Sequence, residues 1–176
     1  MGGVDKGLKV LRGKPMVAWA LARFAPQVDE ILINANQNSA TYAEFGYRVI
    51  PDEIGGYAGP LAGLHAGLSA ATHPLAATVP CDSPFLPADL VLRLRNALLE
   101  NALQENDLAV AKTGDQPHPV FVLLKTSLKR NLEAFLQGGG RKIDAWYASL
   151  KVVEVPFDDQ ADAFRNINTL EELGKA

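Results

Sequence analysis

Leu75-Ala76-Ala77-Thr78-Val79-Pro80-Cys81-Asp82-Ser83-Pro84-Phe85-Leu86-Pro87 is the stretch that decides the fold. Its first six residues, Leu75 to Pro80, have the pattern of a short strand covered on both faces. An acidic residue, Asp82, follows at once, in a turn stiffened by Pro80, Pro84 and Pro87. Upstream lies the glycine loop Gly55-Gly56-Tyr57-Ala58-Gly59, and then Pro60 opens a helix to about Ala71. Gly63 and Gly67 fall on one face of that helix, which marks a place where another backbone comes close. Before the loop come a helix over Lys14 to Ala25, a strand Glu30 to Asn34, a helix near Ser39 to Phe45 and a strand Tyr47 to Ile50. After Asp82, Pro87 is expected to open the longest helix, running to about Leu103 with Leu90, Leu94 and Leu98 on one side.

The strands Asp107 to Lys112 and Pro119 to Leu124 flank a turn at Thr113-Gly114-Asp115. A helix from Ser127 to Gln137 is stopped by Gly138-Gly139-Gly140. A short helix around Lys142 to Ser149, a strand Val152 to Val155 and a strand-like Phe164 to Ile167 follow, and Thr169-Leu170-Glu171-Glu172 has the form of a capping box. Strands alternating with helices at this spacing predict a three-layer α/β fold with a mostly parallel sheet and at least one antiparallel strand. The length of 176 residues suits one domain over 1–176.

Lys and Arg total 17 against 20 Asp and Glu, a net charge of -3, which argues against a broad grip on nucleic acid or an anionic membrane. The single cysteine, Cys81, precludes an intramolecular disulfide and fits a reducing cytoplasm. No apolar run is long enough to span a bilayer and no signal-peptide core opens the sequence.

In parallel sheets ligands sit beyond the carboxyl ends of the strands, and this rule selects Asn34, Asp52 and Asp82. Asp82 is placed to hold a hard divalent ion whose shell nucleotide phosphates complete, although aspartate before Ser-Pro also serves as a turn cap. Gly2-Gly3-Val4-Asp5-Lys6-Gly7 offers backbone amides and the Lys6 ammonium to a phosphate, or is a solvated turn. Asn166 and Asn168 share one side of an extended segment and could contact a metal-bound phosphate or ribose; Asn168 could equally cap the last helix. Gly138 to Lys142 is either an anion site or a helix stop whose basic residues complement the dipole. His65, His73 and His118 are scattered and make no zinc site with Cys81, which reads as a small buried residue.

Taken together, Met1 to Leu8, Gly13-Lys14-Pro15, Asn34-Ala35-Asn36, Asp52, Gly59-Pro60-Leu61-Ala62-Gly63, Pro80 to Pro87, His118-Pro119 and Asn166-Ile167-Asn168-Thr169 resemble the molybdenum cofactor guanylyltransferases, the MobA family. The ordered set spans nearly the whole chain. The resemblance implies a Rossmann-like nucleotidyltransferase fold and a magnesium-dependent transfer of GMP from GTP to the terminal phosphate of molybdopterin, with release of pyrophosphate. It implies that Lys6 contacts GTP phosphates and that Asn34, Asp52, Gly59, Pro60, Leu61 and Asn168 help hold the nucleotide. It also implies that Asp82 binds both nucleotide and magnesium. The pterin would lie toward His118 and Arg141, and molybdoenzyme maturation proteins would receive the product. Members of that family begin with an apolar strand and a Leu-Ala-Gly-Gly loop ending in arginine, just before the Met-Gly-Gly stretch. The resemblance therefore implies a further central strand ahead of Met1. A same-fold enzyme using CTP or a sugar phosphate, and an inactive nucleotide- or pterin-binding module, are the competing expectations.

Overall fold

The computed structural model describes residues 5–54, 59–100 and 105–164. Asp5 to Leu8 turn into a small hairpin of β1 (Val10–Leu11) and β2 (Lys14–Pro15), which hands the chain to α1 (Met16–Phe24). Then come β3 (Leu32–Asn34), α2 (Ser39–Ala43), β4 (Arg48–Ile50), α3 (Pro60–Ala70) and β5 (Leu75–Thr78). The second half holds α4 (Leu90–Leu99), β6 (Leu108–Thr113), β7 (Gln116–Lys125), α5 (Lys129–Gln137), α6 (Ile143–Tyr147) and β8 (Val152–Pro156).

Strands β5, β7, β6 and β8 lie side by side in that order. Strand β7 runs antiparallel to both β5 and β6, and β8 runs parallel to β6, so β5, β6 and β8 share one direction and β7 alone opposes it. This is the antiparallel strand that the turn at Gly114 called for. A separate parallel pair joins β3 to β4.

The two faces of the sheet follow from period-two alternation. Ala109 and Ala111 of β6 and Phe121 and Leu123 of β7 point to a core shared with α1 and with Leu90, Leu94 and Leu98 of α4. Their neighbours Leu108, Val110, Val122 and Leu124 point the other way, onto Leu61 and Leu68 of α3 and Leu132 and Leu136 of α5. Helices on both faces of a sheet buried on both sides make the three expected layers.

Two expectations are corrected. Pro87 does not open α4; the helix begins at Leu90, because its first amides are capped from a distant segment. The Gln27 side chain accepts from the Val91 N–H at 3.0 Å and donates to the Pro87 carbonyl at 2.9 Å. Phe164 is not in a strand: it closes a run of 3-10 turns over Asp158–Phe164, where its buried ring stacks on His118 at 4.6 Å. Residues 165–167, the capping box at Thr169 and the expected end of the helix opened near Pro87, at 101–103, lie outside the described residues.

Between β3 and β5 runs an open slot of about 650 Å³. Among the described residues β3 pairs only with β4, and β5 only with β7, so each turns one edge toward this slot. Val17 and Leu21 of α1 line one side, Gly67 and Leu68 of α3 the other, and Ile33 and Ala77 the two edges. Backbone edges without partners are costly in an apolar setting, and among the described residues none pairs across this slot.

Candidate active site

The carboxyl ends of β3, β4 and β5 carry the polar side chains. Asn34 closes β3, and its side-chain amide donates to the Asp52 Oδ1 at 2.9 Å and to the Ile50 carbonyl at 3.3 Å. Asn36 donates to the Asp52 Oδ2 at 2.8 Å while its own Oδ1 accepts from the Asp52 N–H at 2.8 Å. Two strand ends are thereby stitched together by side chains, with Asp52 accepting on both oxygens. Their spacing in sequence, 34 to 52, gives no sign of this contact; only the parallel register of Asn34 opposite Ile50 creates it.

Past β5 the chain turns sharply, and Asp82 and Ser83 are buried there. The Asp82 side chain keeps 11% of its surface open, and its Oδ2 lies 3.7 Å from the Lys6 ammonium, which is 55% exposed. A nearly buried carboxylate facing a solvent-reaching ammonium forms a mouth of opposite charges at the sheet's carboxyl edge. Asp5, Asn34, Asn36, Tyr42 and Cys81 line an open cleft of about 380 Å³ there.

Helix α3 starts against the same edge. Gly59 is its N-cap with φ 60°, a conformation that glycine adopts without penalty, and Pro60 occupies the first turn. Gly63 packs directly on the Asn34 side chain, so the close approach expected at this position is made by a side chain; Gly67 faces open space instead. Leu61 is fully buried, backbone included, so of this stretch Gly59 and Pro60 are the exposed residues.

Other candidates separate from this edge. His118 accepts or donates with Thr113 Oγ1 at 2.8 Å, stacks on Phe164, and is held below its ordinary pKa by burial. Arg141 donates to the Leu136 and Gly140 carbonyls at 2.8 and 2.6 Å, so it completes the end of α5, as the helix-stop alternative has it. Cys81 is exposed rather than buried, and desolvation together with the charges of Asp82 and Asp5 pushes its thiol up to about 11, away from nucleophilic use at neutral pH. His65 is a buried mid-helix residue with Glu53 at 3.7 Å. Asn166 and Asn168 lie outside the described residues. Asp5 and Tyr42 were not singled out from sequence, although both sit at the cleft; Tyr42 reads there as one apolar position of a short helix.

The sequence profile of the MobA-like NTP transferase domain matches residues 1–152. The chain belongs to that family. A molybdenum cofactor guanylyltransferase of Shewanella putrefaciens is 52% identical over 98% of this chain and 87% of its own length. One from Cupriavidus metallidurans is 51% identical over 98% of the chain and 86% of its own. Among solved structures, molybdopterin-guanine dinucleotide biosynthesis protein A of Archaeoglobus fulgidus superposes with a TM-score of 0.76 at 24% identity, covering 98% of this chain and 89% of that one. The 2-C-methyl-D-erythritol 4-phosphate cytidylyltransferase of Thermus thermophilus follows at a TM-score of 0.71 and 19% identity, over 97% and 91% of the two chains. These last two likenesses establish the α/β nucleotidyltransferase fold.

In this MobA-like transferase the order of the strands accounts for the site's position. The ends of β3, β4 and β5 bring three loop starts to the cleft that Asn34, Asn36 and Cys81 line. Among the described residues no group of three or more His, Cys, Asp or Glu side chains is gathered to cage a metal. Nor is any helix there long and apolar enough to cross a membrane.

Proposed function

We propose that this chain transfers GMP from GTP to the terminal phosphate of molybdopterin, releasing pyrophosphate, with Lys6 and Asp82 as its catalytic pair. The observation that carries the site assignment is the 3.7 Å approach of the Lys6 ammonium to the nearly buried Asp82 carboxylate at the sheet's carboxyl edge. Relatives half identical over almost the whole chain support the choice of guanylyl transfer.

Magnesium fits the donor set. One or two carboxylates suffice for a magnesium site when nucleotide phosphates and water complete its octahedron, and Asp82 offers one at the cleft edge. Asp82 would hold it, and when bound it would neutralise charge on the polyphosphate. The chain's own groups do the rest. Lys6, on a turn open to solvent, swings its ammonium onto the polyphosphate and stabilises the charge gathering on departing pyrophosphate. The Asn34–Asn36–Asp52 network offers fixed polar groups to the nucleoside, and the exposed Gly59 and Pro60, backed by the buried Leu61, approach it from the start of α3. Asn168 would add a contact to ribose or phosphate. The acceptor phosphate is already ionised, so its oxygen can attack the α-phosphorus without a strong base; holding both substrates in line supplies the main advantage.

Incubation of the protein with GTP, magnesium and molybdenum-loaded pterin, with chromatography for the guanine dinucleotide, tests the assignment. Tighter binding and faster transfer with CTP would overturn it. The reaction belongs in the cytoplasm, with molybdoenzyme maturation proteins as receivers of the product.

Gly63→Ala gives a narrower check on Asn34. The added methyl strikes the Asn34 side chain, while alanine improves helix propensity by about 1 kcal/mol. Melting temperature should therefore change little, while GTP dissociation by calorimetry should weaken about tenfold, or ~1.4 kcal/mol. Unchanged affinity would remove Asn34 from the nucleotide site.

Residues 1–176 are further proposed to form a single domain whose slot between β3 and β5 receives one more strand from outside the described residues. Its apolar walls suit such a strand, and its carboxyl end would emerge beside Asn34 and Cys81, close to Asp5. Hydrogen exchange reads this directly in the full-length protein: the slot-facing amides of β3 and β5 should be protected, and fast exchange along both edges would refute it.

A further inference from the structure

The Asp5 carboxylate is spent on its own surroundings. Its Oδ1 accepts from the Tyr42 hydroxyl at 2.7 Å and from the Gly7 N–H at 3.1 Å, and its Oδ2 accepts from the Asn38 side-chain amide at 3.1 Å. Both outside donors come from α2 and its cap. Tyr42 is only 4% exposed, wedged beside Phe45 and packed with Val17 and Ile33, so its hydroxyl is a fixed post rather than a swinging contact. Burial and the facing carboxylate push the phenol well above its ordinary pKa, which keeps it a donor at every physiological pH.

The chain is threaded past this post with no slack. A Cβ on Gly7 would stand 2.5 Å from the Tyr42 hydroxyl oxygen and 3.0 Å from the Cys81 sulfur. The Gly7 carbonyl accepts from the Val17 N–H at 2.9 Å and the Lys6 carbonyl from the Lys9 N–H at 3.2 Å. Lys6 thus sits between two tethered neighbours, and its ammonium reaches the Asp82 carboxylate only because this turn is held where it is. A carboxylate binding a neutral hydroxyl is a charge-assisted bond, stronger than a neutral one, and the other donors to Asp5, the Gly7 N–H and the Asn38 amide, are neutral as well.

We propose that Tyr42, acting through Asp5, is a positioning residue for nucleotide use: it latches the Lys6 turn to α2 so that the ammonium meets the polyphosphate. This rests on the nucleotidyl-transfer reading above. Nothing in it requires Tyr42 to touch substrate. Loss of the hydroxyl alone frees the turn while leaving the buried ring in place.

Two readouts separate the latch from the reaction. In the ligand-free protein, Tyr42→Phe should raise exchange of the Gly7, Leu8 and Lys9 amides, while amides within α3 and β6 stay as slow as before. Asp5→Asn, which keeps the side chain's volume, should do the same; it also covers the case in which the phenylalanine variant folds poorly. In calorimetry with magnesium and GTP, Tyr42→Phe should weaken binding about tenfold, as loss of one charge-assisted bond allows. In a Lys6→Ala background the same change should cost nothing further, because Tyr42 acts only through Lys6. Unchanged exchange at residues 7–9, or losses that multiply in the double variant, would overturn the proposal. A wild-type protein that shows the tether in exchange yet binds no GTP would instead sink the nucleotidyl-transfer reading and, with it, the latch's catalytic meaning.

Discussion

Replacing Asp82 by alanine should lower GMP transfer about a thousandfold, or ~4 kcal/mol at 1.36 kcal/mol per decade, the scale of transition-state charge stabilisation supplied through a bound metal ion. The fold should survive. Asp82 lies in a proline-stiffened loop beyond β5, and removing it takes one partner from an ammonium that is more than half exposed and readily hydrated. Circular dichroism and a melting curve close to wild type, alongside vanishing dinucleotide formation at saturating magnesium, is the expected pair of results. Normal magnesium-dependent turnover by the variant would end the metal assignment. A collapse of the fold with unchanged activity per folded molecule would show Asp82 to be a turn cap.

Lys6→Ala should be the second most damaging change, and its pattern matters more than its size. The ammonium is a compact charge on a flexible stem, suited to a polyphosphate whose charge grows as pyrophosphate leaves. Its loss should cut kcat/KM for GTP by about a hundredfold, near the lower end of what one preorganised donor in such a site contributes. Pterin affinity should stay within about twofold, inside the ±0.5 kcal/mol expected of a surface substitution away from its ligand. Stability should move little, since the ammonium is more than half exposed and stands 3.7 Å from the carboxylate, a long contact for an ion pair. Equal losses toward both substrates would place Lys6 somewhere other than the phosphates. Arginine at this position should restore little, because a planar fork on a longer stem does not reproduce a point charge at 3.7 Å from Asp82.

Much of this site can be read along the chain because strand ends are marked locally. Asn34, Asp52 and Asp82 each follow a short apolar run, and the rule that ligands sit beyond strand carboxyl ends picks them without coordinates. Gly59-Pro60 announces a helix start by the φ each residue favours, and Gly59 is found at φ 60°. The turn at Thr113-Gly114-Asp115 between two apolar runs foretells the hairpin, and the structure buries one face of it around Ala109 and the other around Leu108. The start of α4 was misplaced for a reason equally physical: its cap is Gln27, more than sixty positions away.

The sequence by itself determined the layers, the strand directions that periodicity and hairpin turns imply, and which loops carry polar groups, since each depends on neighbours a few residues apart. Only the tertiary structure decided which of those groups meet. Asn34 and Asn36 clasp Asp52 through parallel register, Lys6 reaches Asp82, and Tyr42 ties down Asp5, a residue to which the linear pattern gave no role of its own. Hydrogen bonds and ion pairs act over about 3–4 Å in space, whereas hydrophobic periodicity reports only whether a position is buried.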